Sequence, residues 1–368
     1  MWRSQTTQAS ELIMSPVTGS NIACYLCQAQ RTRREPATMG SDMKSKILGM
    51  LAVALLAGPM AAGSALATTI FGDSLSDTGN IFLATGGATP AAPYFNGRFS
   101  NGPVWVETLA AGLGNSAHAA PSLAGGRNYA FGGARTGTGS NPPGVLAQIG
   151  GLWVPTNPVV DPTELFVLSG GVNDMRDARS AFSGIGAADD AGRQAAAQQA
   201  INNLLHAVGL LYSSGAREVL ITNLWDLGLT PEASFLGLQF ASTDATNRFN
   251  ALMPSLLSAG TALGLNMYFL DVNGLFNQVR DDALNNGGSL YGITNVSSPC
   301  GAFTGSIGIS CDVSLFSDAL HFSARFHNLL GSAALALVST SQVPEPGSLA
   351  LLSLGLAGLG LSRRRKAA

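Results

Sequence analysis

Between Thr68 and Gln342 the chain contains no lysine. The 10 arginines there face 18 Asp and Glu residues, a formal net charge of −8, while the whole chain carries only −2 because basic residues gather at its ends. An acidic, lysine-free body excludes tracking along a phosphate backbone and adhesion to anionic membranes, so no nucleic-acid partner is expected. Cysteine is equally scarce. Cys24 and Cys27 have redox or metal spacing but no second pair, and Cys300 and Cys311 are the remaining two. No cluster of His, Cys and Asp has zinc spacing, so neither a metal nor a cofactor is expected. Histidine occurs four times, at His118, His206, His321 and His327. No apolar run reaches the ~20 residues of a permanent membrane span, and no internal repeat is present.

The apolar runs that do occur sit at the ends. Residues 43–67 read MKSKILGMLAVALLAGPMAAGSALA, with Lys44 and Lys46 before an apolar core of 11 residues, Ile47 to Ala57, and Ala65-Leu66-Ala67 as an A-x-A cleavage site. That order is a secretory signal peptide, to be removed by a signal peptidase. Residues 1–42 then read as an extension upstream of a true start at Met43 or Met39. At the other end, VPEPGSLALLSLGLAGLGLSRRRKAA runs from Val343 and holds a largely apolar run of 16 residues, Gly347 to Ser362. As a helix these cover roughly 24 Å, short of a hydrocarbon core of about 30 Å. Arg363, Arg364, Arg365 and Lys366 would hold its end on the cytoplasmic side during a transient inner-membrane stay. A Pro-Glu-Pro motif, a short apolar helix and a basic cluster together resemble the PEP-CTERM sorting signal. The resemblance implies an exosortase-like protease as partner and a destination in the periplasm, on the outer surface or in the extracellular matrix. In an exported chain Cys300 and Cys311 are expected to pair, closing a 12-residue loop worth on the order of 3 kcal/mol.

Residues 68–342 remain as one domain. Strands are expected at Thr68–Phe71, at Asn128–Phe131, and in ELFVLSGG from Glu164, REVLITNL from Arg217 and LNMYFLDV from Leu265. Helices are expected at Pro103–Leu113 with Asn101 as candidate cap, at Ala187–Tyr212 and at Thr243–Ala262. Alternating buried strands and helices imply a parallel sheet covered on both faces, with its chemistry in loops beyond the strand C-termini. Those loops carry Asp73-Ser74, Gly132-Gly133, Asn173-Asp174, Asn223 with Asp226, and Asp271 with Asn273. Near the C-terminus Asp318 and His321 are three apart, a spacing that puts both on one face of a helical turn.

Four blocks in order resemble the GDSL family of lipases and esterases, also called SGNH hydrolases: FGDSLSDTGN from Phe71, NYAFGGARTG from Asn128, GGVNDM from Gly170, and Asp318-Ala-Leu-His321. The family often continues the last block with Pro-Thr, where Phe322-Ser323 stand here. The resemblance implies a three-layer α/β/α, flavodoxin-like fold and a serine ester hydrolase acting on a small-molecule or lipid ester. Ser74 takes the place of the nucleophile, and Asp318 and His321 those of its acid and base. Ser74, Gly133 and Asn173 supply the oxyanion-hole donors, with Gly132 competing for the place of Gly133. The residue types suit that chemistry. A serine needs a base of suitable pKa, the base needs a carboxylate to fix its tautomer, and an oxyanion needs preorganised donors. Asp73, Asp77 and Asp174 are expected to cap backbone amides around these turns. His206 is expected in or on a helix, His118 in a small-residue loop, and His327 on a helix surface. Two further readings are an O-acetylesterase or acyltransferase acting on exopolysaccharide, and a surface protein with a vestigial site.

Overall fold

The computed structural model describes residues 66–157, 159–304 and 309–341. The extension 1–42, nearly all of the leader 43–67 and the tail 343–368 lie outside the described residues. Four of the expected apolar runs form parallel strands, β1 (Thr68–Phe71), β2 (Leu165–Leu168), β3 (Glu218–Thr222) and β4 (Asn266–Leu270), each bonded to the next. All residues of β1 and β2 are buried, as both faces of a covered parallel sheet require. The principal helices are α1 (Trp105–Gly112), α2 (Val172–Ala181), α3 (Ala187–Ser213), α4 (Gln239–Leu263), α5 (Val272–Asn286) and α6 (Ala324–Ser341).

Asn128–Phe131, expected as a fifth strand, runs along the free edge of β1 without forming a ladder. Ile70 N donates to Arg127 O and Tyr129 N to Ile70 O, but Asn128 alone bridges to Ile70. Phe131 N also donates to Gly72 O, but the next amide on that edge, Gly72 N, is taken by Gln148 Oε1, while the Asn128 side chain accepts from Ala130 N and donates to Ser76 O and Thr78 Oγ1. Pairing with β1 therefore stops at a single bridge. This edge segment follows β1 in the chain but lies on the side of β1 away from β2, so strand order reverses between β1 and β2. That reversal is the switch point of a doubly wound sheet, where ligand crevices form. Right-handed crossovers running in opposite directions from it put α1 on one face and α3 and α4 on the other. α6 packs on α1 and α3 packs on α4, completing three layers.

Two expectations about helix ends need correction. α1 begins at Trp105, and it is the Glu107 carboxylate that folds back to accept from Val104 N at 2.8 Å. Asn101 instead accepts from Ala324 N at 2.8 Å and so caps α6. The second expected long helix begins four residues earlier than its apolar pattern indicated, at Gln239. A short parallel pair, β5 (Asn295–Pro299) and β6 (Ser314–Phe316), brackets the Cys300–Cys311 disulfide, which is formed as expected. Among the described residues no helix is long and apolar enough to cross a membrane.

Candidate active site

Ser74 sits in the turn that leaves β1 at the switch point, and only 6% of it is exposed. Asp73 builds this turn, its carbonyl accepting from Ser76 N and Asp77 N and its Oδ1 from Leu75 N at 3.1 Å. The Asp77 carboxylate gathers the amides of Gly79, Asn80, Ile81 and Gly132. Both aspartates thus cap backbone amides. Gly72 is clamped by Gln148, which accepts from its N–H at 2.9 Å and donates to its carbonyl at 2.8 Å. Asp73 Oδ2 has no hydrogen-bond partner, and burial pushes its carboxyl up to about 6.

His321 Nε2 lies 2.9 Å from Ser74 Oγ, and His321 Nδ1 lies 2.6 Å from Asp318 Oδ2. An ionised carboxylate only accepts, so Nδ1 carries the proton and Nε2 is left to accept from the serine hydroxyl. Asp318 and His321 lie in a bend between β6 and α6, not in the helical turn that their spacing indicated. Asp318 Oδ1 accepts from Leu320 N at 2.7 Å and His321 N at 2.6 Å, and these two bonds take the place of helical ones. Burial alone would raise the Asp318 carboxyl. The facing His321 and the hydrogen bonds from His321 and Tyr94 outweigh burial and hold it far below the usual carboxylate range.

Three groups, expected as donors, stand on three loops. The Ser74 and Gly133 amides make no backbone hydrogen bond among the described residues. Asn173 Nδ2 gives one proton to Ala134 O at 2.9 Å, which leaves its second. Gly133 has φ +80°, a conformation that side chains resist, and a Cβ there would meet the Pro142 ring at 3.6 Å. Its competitor Gly132 spends its N–H on Asp77 Oδ2 at 2.8 Å and faces the Phe99 ring. Asn173 opens α2, and Gly171 before it has φ +115° with Phe249 closing the space a side chain would need.

Residue pattern alone did not reveal four supporting groups. Arg176 donates to Asn173 Oδ1 at 3.1 Å, and the i,i+3 spacing on a helix was the available signal. Glu232 holds Arg176 at 3.0 and 2.5 Å, also pairs with Arg179, and donates its own amide to Ala319 O at 2.8 Å. Tyr94 and Gln148 come from loops with no local pattern to mark them. Asp174 accepts from Thr136 N and Oγ1, tying α2 to the Gly133 loop. Asn223 and Asp271 bond each other at 2.7 Å, which ties together two loops of the same sheet edge. His206 is exposed on α3, and His118 accepts from Thr68 N at 3.0 Å. His327 is the exception. It is fully buried, accepts from Trp105 N at 3.3 Å, and burial pulls its pKa to about 3. Close packing of α6 on α1 turns inward the face that sequence pattern assigned to the surface.

The family model described as GDSL-like lipase/acylhydrolase matches residues 69–334. The chain belongs to that family. A second model, the PEP-CTERM protein-sorting motif, matches residues 342–366 and marks an exported protein sorted at its C-terminus. The GDSL chain is 28% identical over 248 residues to a phosphatidylcholine-sterol acyltransferase of Aeromonas hydrophila, covering 63% of this chain and 64% of that relative's length. Solved structures similar to it include a carbohydrate acetylesterase from Sinorhizobium meliloti, at 16% identity and TM-score 0.41 over 75% of this chain and 99% of that one. An extracellular lipase from Streptomyces rimosus has 17% identity and TM-score 0.41 over the same shares.

Proposed function

We propose that this GDSL enzyme is an exported serine hydrolase that cleaves carboxylic esters through an acyl-enzyme on Ser74. The observation that carries the reading is the unbroken line Ser74 Oγ, His321 Nε2, His321 Nδ1, Asp318 Oδ2, with gaps of 2.9 and 2.6 Å. In the first half-reaction His321 takes the Ser74 proton as Oγ bonds to the ester carbonyl carbon. The negative charge that forms on the carbonyl oxygen meets the amides of Ser74 and Gly133 and the free Asn173 proton. His321 then gives its proton to the departing alcohol, and Asp318 balances the imidazolium between the two transfers. Water, activated by the same histidine, releases the acid and restores Ser74.

A fluorophosphonate should label Ser74 and no other residue, and Ser74→Ala should lose both label and ester turnover while still folding. Labelling elsewhere with activity retained would overturn the assignment. The sorting motif also favours a second reading, O-acetyl esters or acyl transfer on an exported polysaccharide, where the deacylating group is water or a sugar hydroxyl. Comparing acetylated polysaccharide with longer-chain acyl esters separates the two. Export by the leader at 43–67, removal by signal peptidase and cutting by an exosortase-like protease near Pro344-Glu345-Pro346 complete the reading.

A further inference from the structure

Asp318 Oδ2 accepts two hydrogen bonds. One comes from His321 Nδ1 at 2.6 Å and the other from the Tyr94 hydroxyl at 2.5 Å. With Leu320 N and His321 N on Oδ1, the carboxylate has four donors, the full number its oxygens can accept in plane. Tyr94 reaches this place from the loop between β1 and α1, 224 residues away in the chain. Its ring stands edge-on to Phe99 at 5.9 Å and to Phe303 at 4.8 Å. Phe99 in turn lies against the His321 imidazole at 5.2 Å. Phe303 belongs to the segment closed by the Cys300–Cys311 disulfide. The phenol is therefore fixed from two sides before it meets the carboxylate.

We propose that Tyr94 is a positioning residue of the hydrolytic site, a fourth member beyond Ser74, His321 and Asp318 that holds Oδ2 toward Nδ1 and shares its charge. Sharing has a direction. A carboxylate that donates part of its charge to a phenol proton stabilises the facing imidazolium less. The proton on His321 is then easier to pass to a departing alcohol. Two other titratable groups act on His321 through space, Asp73 on the Ser74 turn and His327 in α6, and a change at Tyr94 alters neither.

This inference rests on the reading of Ser74 as nucleophile, and the fluorophosphonate experiment on the wild-type enzyme tests that reading separately. Tyr94→Phe keeps the ring between Phe99 and Phe303 and removes only the hydroxyl. The acid limb of kcat/KM should move to higher pH by about half a unit or more, because a hydrogen bond to a charged group is lost. kcat should fall severalfold with KM little changed. Fluorotyrosine placed at position 94 alone makes a stronger donor of the same shape, and it should move the acid limb to lower pH. Acid limbs that coincide in wild type, Tyr94→Phe and the fluorotyrosine enzyme would overturn the proposal and leave Tyr94 a packing residue. So would a shift of the Phe variant to lower pH. Should Tyr94→Phe not fold, the fluorotyrosine enzyme alone decides, by the same shift.

Discussion

Replacing Asn173 by alanine removes one donor and leaves two. Its Nδ2 carries two protons, of which Ala134 O takes one at 2.9 Å, so a single proton remains for a developing oxyanion. Loss of one such donor costs about 3–4 kcal/mol in the transition state, roughly a hundred- to thousandfold in kcat. The ground-state carbonyl draws much less on it, so KM should change by no more than about threefold. The variant also strands Ala134 O and frees Arg176 from Asn173 Oδ1, which lowers stability by about 1–3 kcal/mol. A melting curve alongside the kinetics keeps the two effects apart. Arg176→Met offers a graded control, because the amide keeps its Ala134 anchor and loses only the bond that prevents it from swinging. A fall in kcat of about tenfold is expected there. Initial rates on a soluble chromogenic ester supply kcat and KM. An Asn173→Ala enzyme with kcat within about threefold of wild type would refute the reasoning, as would a loss expressed only in KM.

His327→Ala should lower the melting temperature by several degrees, since it empties a fully buried site in α6, yet leave kcat close to wild type. A large kcat loss with unchanged stability would contradict that. Two buried groups predict the acid response of stability. His327 has a folded pKa of about 3 against an ordinary 6.5, so its contribution is complete above pH 6.5 and declines as pH falls toward 3. Asp73 has a folded pKa of about 6 against an ordinary 3.8, so its contribution is complete below 3.8 and is lost as pH rises through 6. The two oppose each other between about pH 4 and 6, and Asp73→Asn should steepen the fall in melting temperature as pH drops through that window. Parallel melting curves for variant and wild type would sink this. Intact-mass measurement of cell-associated enzyme should find a chain ending near Pro344-Glu345-Pro346 and lacking Arg363 to Lys366. Recovery of chain through Ala368 would refute cleavage.

The parts of the fold written in short-range pattern were legible. β1 to β4 are apolar runs ended by Gly, Asn or Asp, and such runs have few other places to go than a covered parallel sheet. Ser74, Asn173, Asp318 and His321 were singled out because each stands at a fixed offset in a compact block. What escaped was long-range. Asn101 has the composition of a cap for the helix that follows it, yet caps one that begins 223 residues later. Asn128 sits in a strand-like run, but its pairing with β1 ends where Gln148, 76 residues beyond Gly72, takes the Gly72 amide. The spacing of Asp318 and His321 fits a helix equally well, and only the Asp318 carboxylate bonding two following amides selects the bend. Tyr94, Gln148 and Glu232 act across distances that no local period encodes.

Glu232 grips the site at both ends. Its carboxylate fixes Arg176 and through it Asn173, while its backbone amide holds Ala319, between Asp318 and His321. The short helix Pro231–Leu236 that carries it is therefore a common hinge-pin for the proposed charge-stabilising and proton-moving halves. Sequence drift on that helix cannot retune one half in isolation, and the effects of paired changes at Arg176 and Ala319 should fail to add. Selection for a new ester is free to rework the outer loops, whereas this helix binds the enzyme to one spacing between donor and base.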